Sequence, residues 1–258
     1  MMSEIPHLDC GQAAFFFDFD GVLAPIVDDP LGVSVSPIIR QGLRDIHNRA
    51  GGAVAIISGR ELAQIDRFLA PLELPAAGIH GAERRRPDGR FEHDEIDAAI
   101  LKHAGERVMA FTSRHEGTLA ETKNASVAVH FRKRPDLEAA AQEFMRDLVA
   151  ELGHGKLVSG KMVVELKFSD RTKGDAILHF MEADPFSGRR PVFFGDDITD
   201  EDGFQIVNSM DGISVKVGSG ETRARYRLDD TSAVESWFTT VCRHPRGEAS
   251  HNNLGRAS

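Results

Sequence analysis

Short apolar runs separated by helix-period segments are the feature that most limits the fold of this chain. Five such runs, each four to six residues long, read AAFFF, AVAII, PAAGI, PVFF and GISVKV. None alternates strictly between apolar and polar residues, which is typical of parallel strands covered on both faces. Between the first two runs, Ile39, Leu43 and Ile46 share one face of a helix that Ser36-Pro37 would begin. The sequence therefore predicts an α/β fold with a doubly wound parallel sheet.

Residues 84–168 interrupt this pattern. They contain a charged turn, two helical segments and two strand pairs, GTLAETKNASVAVHFR and KLVSGKMVVELKF, whose short connections favour antiparallel pairing. An α+β unit inserted between strands of a parallel core is typical of a cap over an active site. We therefore predict a core of residues 1–83 and 169–243, an inserted α+β cap of residues 84–168 and a disordered tail of residues 244–258.

Charge and composition exclude several classes of protein. The formal net charge of -9 at pH 7 argues against a nucleic-acid partner, because binding to phosphates needs a basic face. No apolar run is long enough to span a bilayer and the first residues lack a secretory-signal pattern, so we expect no membrane partner and a cytoplasmic location. Cys10 and Cys242 form neither a disulfide framework nor a metal-ligand pattern.

Two acids follow the first apolar run directly. Asp18 and Asp20 come at the end of AAFFF, and their spacing of two directs both side chains to the same side of an extended segment. Ligands of open α/β sheets bind at the carboxyl ends of the strands, so this pair is a candidate catalytic site. The pattern also fits an ordinary turn, since Asp and the following Gly21 are common turn residues.

Polar residues mark two further predicted elements. Ser58 follows AVAII in the stretch SGR, where its hydroxyl could donate to an anionic oxygen or cap the next helix. Lys173 lies at a predicted helix start, where the helix dipole favours an anion rather than a cation. A lysine at that end indicates that anions converge there, and a solvated surface lysine is the alternative.

An acidic cluster follows the strand PVFF. Asp196 and Asp197 are adjacent at the strand end, and Asp200 comes shortly after them. Some of these acids could cap the next helix, but two adjacent carboxylates repel each other and need a cation or donors to stay ionised. We expect Mg²⁺ as that cation, because it is a hard ion that prefers oxygen ligands.

In this order, the residues above resemble the signature of the haloacid-dehalogenase superfamily of phosphotransferases. The resemblance covers nearly all of residues 13–240 and implies that Asp18 is the nucleophile that forms an aspartyl phosphate. It implies that Asp20 is the general acid and base, and that Ser58 and Lys173 hold the phosphoryl group. The implied Mg²⁺ site consists of residues that bind the ion or orient its ligands: Asp18, Asp20 through its carbonyl, Asp196, Asp197 and Asp200.

Six stretches resemble trehalose-6-phosphate phosphatases more narrowly: DFDGVLAPI, SGR, GIHGAE, VAVHFR, GKMVVELK and GDDITDED. This resemblance implies a phosphatase acting on trehalose 6-phosphate, a small-molecule sugar phosphate, and raises trehalose-6-phosphate synthase as a protein partner. It also implies a set of substrate-binding residues: Gly59, Arg60, Glu83, Arg132, Lys161 and Glu165. Taken without the resemblance, the charged cap residues also fit turn positions, ion pairs or solvent-facing sides of strands.

Two other functions stay open from the sequence. A phosphatase of sucrose phosphate or of a glycosyl-glycerate phosphate would share the core chemistry and differ in the cap. A non-catalytic regulatory module would keep the fold without the reaction. The chain retains all of the acids, the serine and the lysine of the core pattern, which argues against that second alternative: Asp18, Asp20, Ser58, Lys173, Asp196 and Asp197.

Overall fold

The computed structural model describes residues 5–27, 29 and 32–243, which form two β-sheets and the helices packed on them. The predicted tail, residues 244–258, lies outside the described residues. The helices in the described part are α1 (Pro37–Arg49), α2 (Leu62–Leu69), α3 (Ala98–Thr112), α4 (Glu138–Leu152), α5 (Lys173–Met181), α6 (Glu201–Ser209) and α7 (Thr231–Arg243).

The larger sheet has eight strands. They are β1 (Ala13–Phe17), β2 (Val54–Ile57), β3 (Ala76–Gly78), β4 (Glu83–Arg85), β5 (Phe91–His93), β10 (Arg190–Gly195), β11 (Ile213–Val217) and β12 (Tyr226–Leu228). Their order across the sheet is β12-β11-β10-β1-β2-β3-β4-β5, and the six strands from β12 to β3 are parallel. From β1 the chain winds to one side through β2 and β3, and later to the other side through β10. The strand order therefore reverses between β1 and β10, where an open α/β sheet leaves a crevice for ligands.

Phenylalanines of β1 pack the two faces of this sheet. Phe15, Phe16 and Phe17 are fully buried, and successive side chains of a strand point to opposite faces. Phe17 lies against Trp237 of α7, with ring centroids 6.2 Å apart, whereas Phe16 lies against Phe180 of α5, with centroids 6.2 Å apart. Burial of each phenylalanine contributes about 1.5–3 kcal/mol of transfer free energy, so β1 is held firmly and fixes the position of Asp18, the residue that follows it.

The smaller sheet has four antiparallel strands. They are β6 (Leu119–Lys123), β7 (Ser126–His130), β8 (Lys156–Gly160) and β9 (Val163–Lys167), in the order β6-β7-β9-β8. Val127, Val164 and Leu166 belong to a second hydrophobic core with residues of α3 and α4. Because side chains alternate along a strand, Glu165 between Val164 and Leu166 points to the opposite face, which carries polar groups.

The predicted α/β fold with a doubly wound parallel sheet is confirmed. Within the predicted cap, residues 84–168, β4 pairs antiparallel with β3 and β5 pairs antiparallel with β4, so both strands extend the larger sheet. The stretch ERRRPDGRFEHDE therefore forms a hairpin at the edge of the larger sheet, and the second unit begins after it. Charged side chains suit such an edge, since they discourage pairing with further strands.

No helix among the described residues combines the length and the apolar character that crossing a membrane requires.

Candidate active site

The site lies where β1 and β10 end side by side. Asp18 follows β1 and Asp196 follows β10, and the backbone N–H of Asp18 donates to the carbonyl of Phe194 at 2.9 Å. Both aspartates are buried, with 4% and 6% of their surface exposed. The sheet topology therefore brings together two carboxylates that are far apart in the sequence.

Lys173 joins two of the acids. Its Nζ lies 2.9 Å from Asp18 Oδ2 and 2.8 Å from Asp200 Oδ1, and its side chain is almost fully buried. Burial opposes the charged form of Lys173, but the carboxylates of Asp18 and Asp200 outweigh it and raise the pKa of the lysine above its usual value. The prediction that anions converge on this helix start agrees with these contacts.

Asp200 organises the turn after β10. Its Oδ2 accepts from the backbone N–H groups of Asp196 at 2.9 Å and Asp197 at 2.8 Å, and it has no exposed surface. The carboxylate passes so close to Gly195 that a Cβ there would lie 2.4 Å from Asp200 Cγ. Asp200 thus fixes the turn that carries Asp196 and Asp197, as a residue that orients or extends a metal site would.

Three carboxylates could share a cation. Oxygens of Asp18, Asp196 and Asp200 lie within 4.8 Å of one another, and all three residues are buried. Burial raises the pKa of Asp18 well above its usual value, and burial and then Asp200 raise the pKa of Asp196 to about 6. A divalent cation would supply the positive charge that keeps these groups ionised, and carboxylate oxygens suit Mg²⁺. The donor set therefore fits the predicted ion.

The absence of a side chain at Gly21 makes room for the carboxylate of Asp196. Its φ is +74°, and a Cβ at this position would lie 2.2 Å from Asp196 Oδ2. Only glycine adopts this backbone conformation without strain and also lets the loop pass so close to the carboxylate. Two predicted metal-site residues are outside the cluster: Asp197 accepts from the N–H of Ile198, and the Asp20 carboxylate has another partner.

The partner of Asp20 is Arg60. Arg60 Nε lies 2.7 Å from Asp20 Oδ2 and Nη2 lies 2.7 Å from Asp20 Oδ1, a bidentate pair across the end of the sheet. The guanidinium also lies 5.4 Å from the ring centroid of Phe19. Both oxygens of the predicted acid and base are therefore occupied by Arg60 in this conformation.

Ser58 and Gly59 form the turn that leads to Arg60. Ser58 is 1% exposed, and its Oγ accepts from the backbone N–H of Arg60 at 3.2 Å. A Cβ on Gly59 would lie 2.8 Å from the His80 ring, so glycine allows that contact. Ser58, Gly59 and His80 all line the same cavity as Asp18.

This cavity has a volume of about 480 Å³ and is lined by residues of both sheets. Most of the predicted site residues line it: Asp18, Asp20, Ser58, Gly59, Arg60, Arg132, Lys161, Glu165, Lys173, Asp196 and Asp197. Lys161, from the turn between β8 and β9, reaches Asp196 Oδ2 at 2.9 Å although its side chain is 57% exposed. Arg132 is near the same turn, with Nη2 3.5 Å from the Lys161 carbonyl.

Glu165 lies at the centre of a polar network on the cavity face of the smaller sheet. Its Oε1 accepts from Ser126 Oγ at 2.5 Å and from Lys123 Nζ at 3.1 Å, and its Oε2 lies 3.3 Å from His80 Nε2. Burial opposes ionisation of Glu165, but Lys123, His80 and Ser126 outweigh it and hold the pKa of the carboxyl well below its usual value.

Glu121 and Lys123 are cavity residues that the sequence reasoning did not name. They line the cavity with His130, whose Nε2 lies 2.8 Å from Glu121 Oε2. Strand alternation could have identified them from the sequence. Glu121 and Lys123 are two residues apart in β6, whose sequence is LAETK, so both side chains lie on one face of the strand.

Glu83 is placed differently from its prediction as a sugar ligand. Its Oε2 accepts from the backbone N–H of Leu62 at 3.1 Å, and its Oε1 accepts from the side chain of Asn124. Glu83 lines a second cavity, of about 740 Å³, instead of the cavity around Asp18. The placement follows from the hairpin: β4 begins at Glu83 and pairs with β3 on one side and β5 on the other, where Glu83 reaches Leu62 and Asn124.

Comparisons with known proteins agree with this geometry. The family model described as trehalose-phosphatase matches residues 16–232. The chain is 38% identical over 240 residues to the trehalose-6-phosphate phosphatase of Escherichia coli K12, covering 93% of this chain and 90% of the relative. It is 37% identical over 211 residues to a probable trehalose-phosphate phosphatase of Sinorhizobium fredii, covering 81% and 79%.

Solved structures show the same fold. A trehalose-6-phosphate phosphatase related protein superimposes with a TM-score of 0.77 at 25% identity, covering 88% of this chain and 96% of that one. A haloacid dehalogenase-like hydrolase from B. subtilis shares the fold alone, with a TM-score of 0.62 at 15% identity and coverage of 88% and 99%. The core is therefore the predicted haloacid-dehalogenase fold, and the chain belongs to the trehalose-phosphatase family.

Proposed function

We propose that this protein is a Mg²⁺-dependent phosphomonoesterase that hydrolyses trehalose 6-phosphate to trehalose and phosphate through an aspartyl phosphate. The observation that carries the proposal is the buried group of Asp18, Lys173 and Asp196, at the floor of a cavity whose other wall is polar. The names of the family and of the relatives with 37–38% identity support a phosphoric monoester hydrolase and this substrate.

In the first step, a carboxylate oxygen of Asp18 attacks the phosphorus atom. The ester P–O bond breaks with its electron pair on the sugar oxygen, which takes a proton from Asp20. Lys173, held by Asp200, faces Asp18 and offsets the negative charge of the phosphoryl group. Because Arg60 binds both oxygens of Asp20, one of those hydrogen bonds is exchanged for the substrate oxygen before the proton moves.

In the second step, water attacks the phosphorus atom of the aspartyl phosphate. Asp20, now ionised, accepts a proton from that water, and the P–O bond to Asp18 breaks so that the carboxylate is restored. The same residue therefore acts as acid and then as base. Ser58, buried beside the turn that follows β2, is within the cavity and can donate its hydroxyl to a phosphoryl oxygen.

The ligands proposed for Mg²⁺ are the carboxylates of Asp18 and Asp196, which converge in the structure, and the carbonyl of Asp20, which the superfamily resemblance implies. Asp200 and Asp197 would support this site, Asp200 by fixing the turn after β10. The ion would neutralise carboxylate charge and polarise the phosphoryl oxygens. Without that charge, a phosphate dianion would be repelled by the buried acids of the cavity floor.

The wall opposite the aspartates would recognise the sugar. Arg132, Lys161 and Glu165 line it, together with Glu121 and Lys123. Charged donors and acceptors suit a disaccharide rich in hydroxyl groups, and a substrate that leaves them unpaired is rejected. The proposal thus treats residues 84–168 as the specificity cap, with the β4–β5 hairpin of that range on the larger sheet. It places the enzyme in the cytoplasm and has trehalose-6-phosphate synthase as the source of its substrate.

The test is phosphate release from a panel of sugar phosphates by the parent protein and by Asp18→Asn, with Mg²⁺ and with EDTA. We expect turnover of trehalose 6-phosphate that needs Mg²⁺ and is lost in Asp18→Asn. Hydrolysis of sucrose phosphate or a glycosyl-glycerate phosphate instead would reject the substrate and keep the core chemistry. Absence of hydrolysis across the panel would reject the enzyme in favour of a regulatory module.

A further inference from the structure

The turn between β6 and β7 contacts the larger sheet through Asn124. The side-chain amide of Asn124 donates to Glu83 Oε1, and its backbone N–H donates to Glu61 Oε1 at 3.2 Å. Glu83 uses its other oxygen, Oε2, to accept from the backbone N–H of Leu62 at 3.1 Å. One residue of the smaller sheet is thus bound to two carboxylates of the larger unit.

The same turn also holds the centre of the sugar-facing wall. Lys123 and Ser126, on either side of the turn, both donate to Glu165 Oε1, at 3.1 Å and 2.5 Å. A shift of the turn would therefore move the donors that fix Glu165 within the cavity. Glu165 and Lys123 are both among the residues that line it.

On the larger unit, these contacts lie next to the SGR turn, residues Ser58, Gly59 and Arg60, which is proposed to bind the phosphoryl group. Glu61 is the N-cap residue of α2 but makes no side-chain capping hydrogen bond to its own helix, and Glu83 supplies the acceptor for Leu62 instead. Arg60, directly before Glu61, forms the bidentate pair with Asp20. The bridge is therefore anchored on the larger unit directly beside the arginine that pairs with Asp20.

We propose that Asn124, Glu83 and Glu61 form a positioning bridge that sets the sugar-facing wall relative to the SGR turn. All three line the second cavity and not the cavity around Asp18, so they set the position of Glu165 relative to the SGR turn rather than touch substrate. This inference rests on the proposed phosphatase function and assigns Glu83 the role of a positioning residue.

The hydrogen-bond polarity of the bridge gives a selective test. Asn124→Asp replaces the amide donor with a carboxylate that faces Glu83 and Glu61, so like charges repel. Adding Glu83→Gln restores a donor opposite the new carboxylate and returns the net charge to that of the parent. The second variant is therefore a matched control for both charge and volume.

We expect Asn124→Asp to raise KM and lower kcat/KM for trehalose 6-phosphate about tenfold, with kcat/KM for p-nitrophenyl phosphate changed less than about twofold. Hydrogen exchange at the Leu62 amide should accelerate in this variant. In Asn124→Asp/Glu83→Gln, sugar-phosphate kinetics should return to within about threefold of the parent, and Leu62 should regain its protection.

Unchanged sugar-phosphate kinetics in Asn124→Asp, an equal loss on both esters, or no recovery in the double variant would overturn the bridge. A parent protein that hydrolyses neither ester would instead overturn the proposed function. In that case the exchange rates at Leu62 still decide whether the bridge exists, because they do not depend on turnover.

Discussion

Glu165 is a buried acid whose partners outweigh the cost of its burial. It is 7% exposed, and Lys123, Ser126 and His80 surround its two oxygens. Their effect holds the pKa of Glu165 well below its usual value, whereas the pKa of His80 is lowered by its own burial. A carboxyl with a depressed pKa stabilises the fold above the pKa of the unfolded chain, about 4.3, and this stabilisation is lost as the pH falls through the folded value.

The first prediction at the residue scale concerns acid stability. Glu165→Gln should remove about 1–3 kcal/mol from the free energy of unfolding at pH 7, since a hydrogen-bonded buried charge is lost. It should also show a smaller fall in stability than the parent between pH 5 and more acidic solutions. Urea unfolding across this range measures both effects.

Glu221→Gln is the matched control, because Glu221 is an exposed glutamate outside the cavity. It should follow the pH dependence of the parent. An acid-induced fall in stability that is the same in Glu165→Gln and in the parent would contradict the role assigned to the Glu165 network.

The positions of residues that directly follow a strand could be predicted from the sequence. The contacts of residues that meet the other sheet could not. Asp18, Ser58 and Asp196 lie where the strand ends put them. Glu83 was assigned to the sugar because the stretch HGAE resembles the family, but its partner is Asn124, a residue of another sheet. Periodicity carries no information about which turn of one sheet meets which edge of another.

At the scale of elements, the start of α5 links stability to the site. Thr172 is its N-cap, with Oγ1 accepting from the N–H of Asp175 at 3.1 Å and Asp175 Oδ2 accepting from the N–H of Thr172 at 2.9 Å. The next residue is Lys173, which binds Asp18 and Asp200. This capping box therefore fixes both the first turn of the helix and the lysine.

The second prediction is that Thr172→Ala loses both stability and activity. Loss of the cap should cost about 1 kcal/mol of unfolding free energy, and the loosened first turn should lower kcat for phosphate release. Ser36→Ala removes a comparable cap from α1, where Ser36 Oγ accepts from the N–H of Ile39 at 3.2 Å. Denaturant unfolding and initial rates of both variants provide the comparison.

Ser36 does not line the cavity, so Ser36→Ala should lose similar stability and keep the parent kcat. Equal losses of kcat in the two variants would mean that global stability, rather than the position of Lys173, limits the rate.

The starts of α1 and α5 were predictable because Ser36-Pro37 and the start of α5 carry ordinary helix signals. β12 and the β4–β5 hairpin had no such signal, since they are short and charged or mixed in composition.

At the scale of the whole molecule, two sheets with separate hydrophobic cores both line the cavity around Asp18. The larger sheet supplies the buried acids and Lys173 at the point where its strand order reverses, and the smaller sheet supplies the polar wall. Under the proposed function, this separation would let one core serve many esters while the cap selects among them. Lys161 is a direct link between the two units, because its ammonium lies 2.9 Å from Asp196 Oδ2.

The last prediction is that this link competes with the metal. Asp196 raises the pKa of Lys161 despite partial burial, so the ammonium stays charged and occupies a carboxylate oxygen that Mg²⁺ would use. Lys161→Ala should therefore bind Mg²⁺ about two- to fivefold more tightly in calorimetric titrations with MgCl₂ alone, a modest gain because the lysine is largely exposed. Lys133→Ala removes the same charge from the rim of the same cavity and should change the affinity less. An equal gain in both variants would mean that overall charge alone governs the affinity. A gain confined to Lys161→Ala would support competition between Lys161 and the ion for Asp196.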